Sequence, residues 1–310
     1  MKIPVRRQVG GLLRLARYKE YTYFVIITTL LGVAAGHGEF GWRLLGVLAA
    51  NWLGVGFIFM INDVEDAPED ALNPAKAQRN PVSAGDLSEV TAERLSTVVM
   101  LASAALYGLL GSWPFIIGGT CLIIGHLYSW RRVRLKTIPG VDLLSHCLML
   151  AGLQFLAAQF TFEPGYLGPW VFPLVMAVSV SLYGELFNEI RDYEGDVRAG
   201  IRHTATLLGP RVTHVLMWVL LAIGGFSAVA AGVSGFIPPW VLLIMLVAAV
   251  ILLARPALRA RHSRSMVELQ EPFQKPVELS AAVALLLWFV IPWAGKMLPW
   301  ASQAFWALLP

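Results

Sequence analysis

The chain has 310 residues, 57% of them hydrophobic and 14% charged, with a mean hydropathy of +0.64 and a formal net charge of +4. A water-soluble domain carries about 25% charged residues, so the composition excludes one and places the chain in lipid. The positive surplus forms no basic stripe interleaved with aromatics, which argues against a nucleic-acid partner.

A basic start (Lys2, Arg6, Arg7, Arg14, Arg17, Lys19) precedes the first and shortest apolar run, 21–36. Eight more runs follow, at 42–61, 95–112, 114–130, 141–160, 169–190, 212–232, 238–254 and 279–298. With so many behind it, the first run is read as a span and not as a cleaved signal peptide. Runs of this length cross a hydrocarbon core of about 30 Å. They lack strict alternation, so helices are expected and a barrel is not. The pattern predicts an all-α membrane protein, nine transmembrane helices in a bundle around a central cavity, forming one polytopic domain over 1–310. Cys121 and Cys147 fall inside spans without metal-ligand spacing and are read as small apolar fillers. The tail from Pro299 to Pro310, with Trp300, Phe305 and Trp306, is read as an aromatic anchor at the interface.

Loops alternate sharply in charge. The basic start and the loops after spans 2, 4, 6 and 8 hold 22 of the 24 Lys and Arg residues, leaving Arg43 and Lys296 for the opposite side. By the positive-inside rule the N-terminus is cytoplasmic and the C-terminus external, in the cell membrane. The long polar segment from Asn62 to Arg94 is expected as a cytoplasmic loop, where function concentrates.

Ten of the 20 acidic residues fall in 63–70 and 185–196. The two stretches repeat one pattern, NDVEDAPED at 62–70 and NEIRDYEGD at 188–196. The repeat pairs Asn62 with Asn188, Asp63 with Glu189, Asp66 with Asp192 and Asp70 with Asp196, and each copy follows an even-numbered span. On a helix, Glu185, Glu189, Asp192 and Asp196 share a face within about 60°. Asn62 and Asp66 also share one, and Pro68 is expected to end that helix and leave Asp70 on a loop. Aligned carboxylates one turn apart repel by about 3 kcal/mol per pair at an effective dielectric near 20, so they call for a counter-cation. Oxygen donors without His or Cys favour Mg²⁺, which completes its shell with water and phosphate. Two facing acid motifs therefore suggest a diphosphate held between them. Lys76, Arg79, Arg131, Arg132, Arg134, Lys136, Arg198 and Arg202 stand near enough in sequence to bind phosphate.

With these residues the sequence resembles the UbiA superfamily of intramembrane prenyltransferases. Asn62, Asp63, Asp66 and Asp70 match its first signature. RNPVSAG, Arg79 to Gly85, matches the segment that follows. Asp192 and Asp196 with Gly200, Thr204 and Gly209 match the second signature. Tyr128 and Ser129 are similar to its Tyr-Ser motif, Glu185 takes the place of a further acid found in some members, and RLARYKEYTY (Arg14 to Tyr23) loosely matches the acceptor-side pattern. The resemblance implies that Mg²⁺ held by Asn62, Asp63, Asp66, Asp70, Asp192 and Asp196 helps an isoprenyl diphosphate ionise. Asp66, Asp192 and Asp196 are then catalytic, with Lys76, Arg79, Arg131 and Arg198 on the diphosphate. Tyr128 is the foremost of several aromatics, with Trp52, Phe57, Phe59, Phe155 and Tyr183, that can face the carbocation before a lipophilic acceptor (quinone precursor, glycerol phosphate, tetrapyrrole or polyene) attacks. Glu185, Asn188, Glu189 and Asp142 are further candidates. Asp142 either pairs with Arg131 or Arg134 or orients the acceptor, and His126 and His146 are read as core histidines. A membrane terpene cyclase of the same fold carries the same motifs. A transporter would place acids and broken helices near the midplane, whereas here the acids crowd one boundary. Oligomeric state is not legible.

The charge asymmetry makes a direct prediction. A reporter fused after Pro310 should read as external and one inserted within 62–94 as cytoplasmic; the same location for both would refute the odd span count.

Overall fold

A backbone in hydrocarbon must bond its own N–H and C=O groups, and the apolar runs do so as helices. The structure, a computed structural model, describes residues 5–163, 168–260 and 266–297. In chain order it comprises α1 (Val5–Ala16), α2 (Tyr18–Ala35), α3 (Trp42–Asp70), α4 (Pro74–Arg79), α5 (Glu89–Leu110), α6 (Ser112–Ser129), a 3₁₀ turn (Leu135–Thr137), α7 (Val141–Phe160), α8 (Val171–Ala199), α9 (Thr204–Leu208), α10 (Pro210–Val233), α11 (Pro239–Ala260) and α12 (Met266–Met297). No strand occurs among the described residues. The tail anchor expected at 299–310, and Arg261 and Arg264 in the last basic loop, lie outside them.

All nine expected spans fall on helices. Among the described residues six helices are long and apolar enough to cross a membrane: α3, α5, α7, α8, α10 and the Gln274–Lys296 part of α12. The other three expected spans fall on α2 and α6, 18 residues each with polar ends, and on α11, whose described apolar stretch is Pro239–Ala248. Neighbours in sequence pack as neighbours in space from α2 through α8 to α10, and α12 closes back onto α2.

Small residues let the backbones approach. A Cβ on Gly32 of α2 would collide with the carbonyl oxygen of Phe155 on α7, and one on Gly125 of α6 with Ile58 of α3. One polar hub pins four of the helices. Asn51 on α3 donates to Thr29 Oγ1 on α2 (2.8 Å) and to the Gln154 carbonyl on α7 (3.1 Å), and accepts from Tyr107 on α5 (2.6 Å). In an apolar surround a partnerless amide is costly, so this hub specifies register as well as adding stability.

The expected break at Pro68 does not occur: α3 runs through it to Asp70. A proline leaves the carbonyl four residues earlier without its helical donor. Here that carbonyl, Val64 O, accepts from Arg131 Nη2 (3.0 Å), and Arg131 Nε serves Glu65 O (2.8 Å). The polar segment 62–94 is consequently not a loop. Its first nine residues finish α3, α4 follows, and α5 begins at Glu89, capped by Ser88 Oγ accepting from Thr91 N (3.1 Å).

Arg131→Met strands the Val64 carbonyl and should lower the thermal unfolding midpoint in detergent by the equivalent of about 1–3 kcal/mol. Adding Pro68→Ala supplies Val64 O with a backbone donor and should recover part of that loss. An equal penalty of Arg131→Met with and without the proline would show that the arginine does not bridge the gap.

Candidate active site

The first acid motif occupies the last turns of α3 and the second the last turns of α8. The C-terminus of α6 ties them together with two consecutive side chains. Ser129 Oγ donates to Asn62 Oδ1 (2.9 Å), and the Tyr128 hydroxyl donates to Glu185 Oε1 (2.5 Å). Adjacent residues at a helix end point in different directions, so one turn of α6 reaches both motifs.

Every acid of the first motif has a positive or amide partner. Asp63, 4% exposed, is held by Arg17 Nη1 (3.0 Å). Arg17 has φ 44° at the α1–α2 junction, a left-handed turn that swings its guanidinium inward over the Phe59 ring, 4.8 Å from the centroid, and against Glu20. Asp66 accepts from Lys136 Nζ (2.5 and 2.6 Å) and Arg134 Nη2 (3.3 Å), and Lys136 also reaches Asn62 Oδ1 (3.0 Å). Asp70 accepts from Asn80 Nδ2 (2.9 Å), which also donates to Asp63 O (2.7 Å). Asn80 Oδ1 in turn takes Val82 N (2.9 Å), so the RNPVSAG segment folds as a bracket over the end of α3. Gly85 closes that bracket at φ 69°, a conformation that favours glycine.

The second motif lies on one uninterrupted helix, so Glu185, Glu189, Asp192 and Asp196 share a face as the spacing predicts. Glu185 and Glu189 are buried, Asp192 and Asp196 partly open, and Asn188 is exposed one turn before Asp192. Lys76 of α4 points its Nζ between Asp192 Oδ2 (3.8 Å) and Asp196 Oδ1 (3.9 Å). A residue that follows the first motif thus stands against the second. His203 joins Glu189 (Nδ1–Oε2, 3.3 Å) to Asp196 (Nε2–Oδ2, 3.2 Å). Burial pulls the His203 pKa down, but the two carboxylates outweigh it and hold it up at about 9, so the ring is an imidazolium at neutral pH. Glu189 Oε1 is buried without a partner.

Several candidate phosphate ligands are engaged elsewhere. Arg131 serves Val64 and Glu65 and also pairs with Glu89 (3.3 Å), and Arg198 donates to Glu194 O of its own helix (3.0 Å). Arg132 lies over the Trp130 ring at 5.7 Å, and Arg79 is exposed on α4 within electrostatic reach of Glu20 and Asp63. Asp142 meets neither Arg131 nor Arg134. It is fully buried and accepts from Thr204 through both oxygens, from Thr204 N (2.5 Å) and Thr204 Oγ1 (2.5 Å). The reason is electrical: α9 starts at Thr204, and a carboxylate satisfies the exposed N–H groups of a helix start.

Arg17, Asn80 and His203 belong to this site although sequence reasoning did not single them out. A buried Asp63 demands a counter-charge, which was the available signal for Arg17, but nothing in the sequence said which arginine. Among the described residues no group of three His, Cys, Asp or Glu side chains is arranged to hold a metal ion as the side chains stand. The acids instead form two clusters, each with its own cations, Arg134 and Lys136 on the first and Lys76 on the second.

Residues 25–269 match the UbiA prenyltransferase family. The chain belongs to that family. As a UbiA protein it is a prenyltransferase and a multi-pass membrane protein. It is 35% identical over 186 residues to a lycopene elongase/hydratase of Haloferax volcanii, an alignment covering 56% of each chain. It is 31% identical over 234 residues to the Haloarcula japonica lycopene elongase/hydratase, covering 71% of this chain and 75% of that one. A digeranylgeranylglyceryl phosphate synthase of Saccharolobus solfataricus is 28% identical over 224 residues, 66% of this chain and 76% of the other. The UbiA fold is shared with solved structures. An apo UbiA homologue from Aeropyrum pernix K1 superimposes with TM-score 0.69 at 16% identity, covering 87% of this chain and 97% of that one. An Archaeoglobus fulgidus homologue bound to GPP and Mg²⁺ gives 0.64 at 20% identity, covering 89% and 99%.

In this UbiA chain the Asp142–Thr204 contact carries a structural prediction. Asp142→Ala leaves the start of α9 without its acceptor, at a cost of about 1–3 kcal/mol. Limited proteolysis in the 200–203 segment should then accelerate about tenfold or more, and an unchanged cleavage rate would remove the assignment.

Proposed function

We propose that the protein transfers a prenyl group from an isoprenyl diphosphate to a lipophilic acceptor inside the membrane, with Mg²⁺ as cofactor. The observation that carries this reading is that each acid motif holds a lysine at its open carboxylates: Lys76 against Asp192 and Asp196, and Lys136 against Asp66 and Asn62. Positive groups there meet the carboxylates now and would meet diphosphate oxygens once it enters. The donor set fits a hard cation. Asn62, Asp63, Asp66, Asp70, Asp192 and Asp196 offer only oxygen, and Mg²⁺ takes one or two carboxylates per ion. When bound, the metal neutralises the diphosphate as a leaving group.

The chain's own residues do the rest. Lys76 and Lys136 add charge-assisted hydrogen bonds to the departing diphosphate. Beneath the first motif Tyr21 stacks on Phe59 (centroids 5.2 Å apart) and meets Trp52 (6.0 Å), aromatic faces that stabilise a desolvated cation by about 2 kcal/mol. Phe57, Ile58, Met60 and Ile61 on α3, with Leu122 and Met149, line the neighbouring core and exclude water, which would otherwise capture the cation. Phe57 stacks toward His126, Phe155 toward Trp170 and Tyr183 toward Phe187, so these three are packed into the bundle. In this reading all nine apolar runs cross the bilayer, and both motifs and the N-terminus face the cytoplasm, where the basic loops lie. Of the acceptor classes, a polyene is favoured, because two relatives above 30% identity are lycopene elongase/hydratases.

Purified protein given geranylgeranyl diphosphate and a panel of polyenes, quinone precursors, glycerol phosphates and tetrapyrroles should release diphosphate and yield a prenylated polyene. Chelation with EDTA should stop it and Mg²⁺ restore it. Asp66→Asn and Asp192→Asn should each cut turnover about 10²-fold or more. Glu194→Gln, exposed on the other side of α8, should change little. Full turnover in EDTA, or loss at Asp192 with none at Asp66, would defeat the two-motif mechanism.

A further inference from the structure

Below the cation-filled gap lies a polar network that diphosphate binding does not require. It joins three helices. Glu185 on α8 is 8% exposed, and each of its oxygens is hydrogen-bonded: Oε1 accepts from the Tyr128 hydroxyl of α6 (2.5 Å), and Oε2 meets His146 Nε2 of α7 (3.1 Å). His146 Nδ1 in turn meets Ser181 Oγ of α8 (3.2 Å). One tautomer satisfies the whole chain. Ser181 donates to Nδ1, Nε2–H donates to Glu185, and the carboxylate accepts from two neutral donors. Among the described residues no Lys or Arg pairs with Glu185. His146 lies two residues before the π turn Leu148–Gly152, a local distortion that α-helices adopt often at functional sites.

Depth separates this carboxylate from the others on its face. Glu185 precedes Asp192 by seven residues, about 10 Å along the helix axis. The diphosphate stays with the outer acids, so Glu185 stands at the level of the hydrocarbon that follows it. We infer that Glu185 is the catalytic base that ends the reaction, with Tyr128, His146 and Ser181 as its positioning residues. The inference rests on the prenyl-transfer reading given above.

The electrons balance as follows. The allylic C–O bond breaks and its pair leaves with the diphosphate. A π pair of the acceptor forms the new C–C bond, which leaves a cation on the joined skeleton. A neighbouring C–H bond then gives its pair to a new C=C bond, and its proton goes to the Glu185 carboxylate. Hydrogen bonds at both oxygens also blunt the carboxylate as a nucleophile, so it takes a proton instead of forming an ester with the cation. The proton returns to water when product leaves.

The test separates ionisation from proton removal. Wild-type protein with Mg²⁺, geranylgeranyl diphosphate and lycopene is assayed for diphosphate released and for prenylated alkene formed. In Glu185→Gln, alkene per diphosphate should fall at least about tenfold, with water-quenched alcohols in its place. Glu185→Asp, which keeps the carboxylate, should recover part of the ratio. Ser181→Ala, which removes only the hydroxyl on His146, should lower it about threefold. A ratio unchanged in Glu185→Gln, or alkene and diphosphate falling in step, would overturn the assignment. If Glu185→Gln does not fold, an unchanged ratio in both Glu185→Asp and Ser181→Ala would overturn it equally. Absence of Mg²⁺-dependent diphosphate release in the wild type would instead refute prenyl transfer itself, and this inference with it.

Discussion

Carboxylates crowded at the end of a helical bundle repel one another, and each needs a cation or a hydrogen-bond donor before the helices can close. That need organises the polar end of this molecule. Arg17 turns left-handed to reach Asp63, Lys136 bends into Asp66, and His203 carries its proton between Glu189 and Asp196. Each contact draws a loop over the acids. The N-terminal junction, the loop after α6 and the segment after α8 are all held in place by charge.

The gap between the motifs is a different matter. Lys76 stands nearly 4 Å from both Asp192 and Asp196, beyond hydrogen-bond range. Such a pair, partly exposed, contributes little to stability and yields readily to a better partner. The tight pairs therefore hold their loops in place, and the loose one is free to exchange its partner. The same economy appears at α6, where Tyr128 and Ser129 hold one motif each, so the distance between the motifs is set by a single rigid helix end.

Family membership and local chemistry answer different questions. The match over residues 25–269 establishes a prenyltransferase, and the folds it shares with distant homologues establish the bundle. Neither says how a proton leaves the product. That proposal comes from Glu185, which is buried between two neutral donors, well below the acids that face cations.

Composition and spacing were enough for the class of protein, the helical runs, the repeat and the shared face of Glu185, Glu189, Asp192 and Asp196, because each follows from periodicity along one helix. Partnerships across the bundle were not legible. Asp142 takes Thr204, 62 residues away, in place of a nearby arginine. Arg131 leaves the phosphate ligands to mend the helix at Pro68, and Arg17 reaches Asp63 from the α1–α2 junction, 46 residues away. Sequence says that a buried charge must be met, since its desolvation is too costly otherwise. Which of 24 basic residues meets it depends on distances that exist only once the helices have packed.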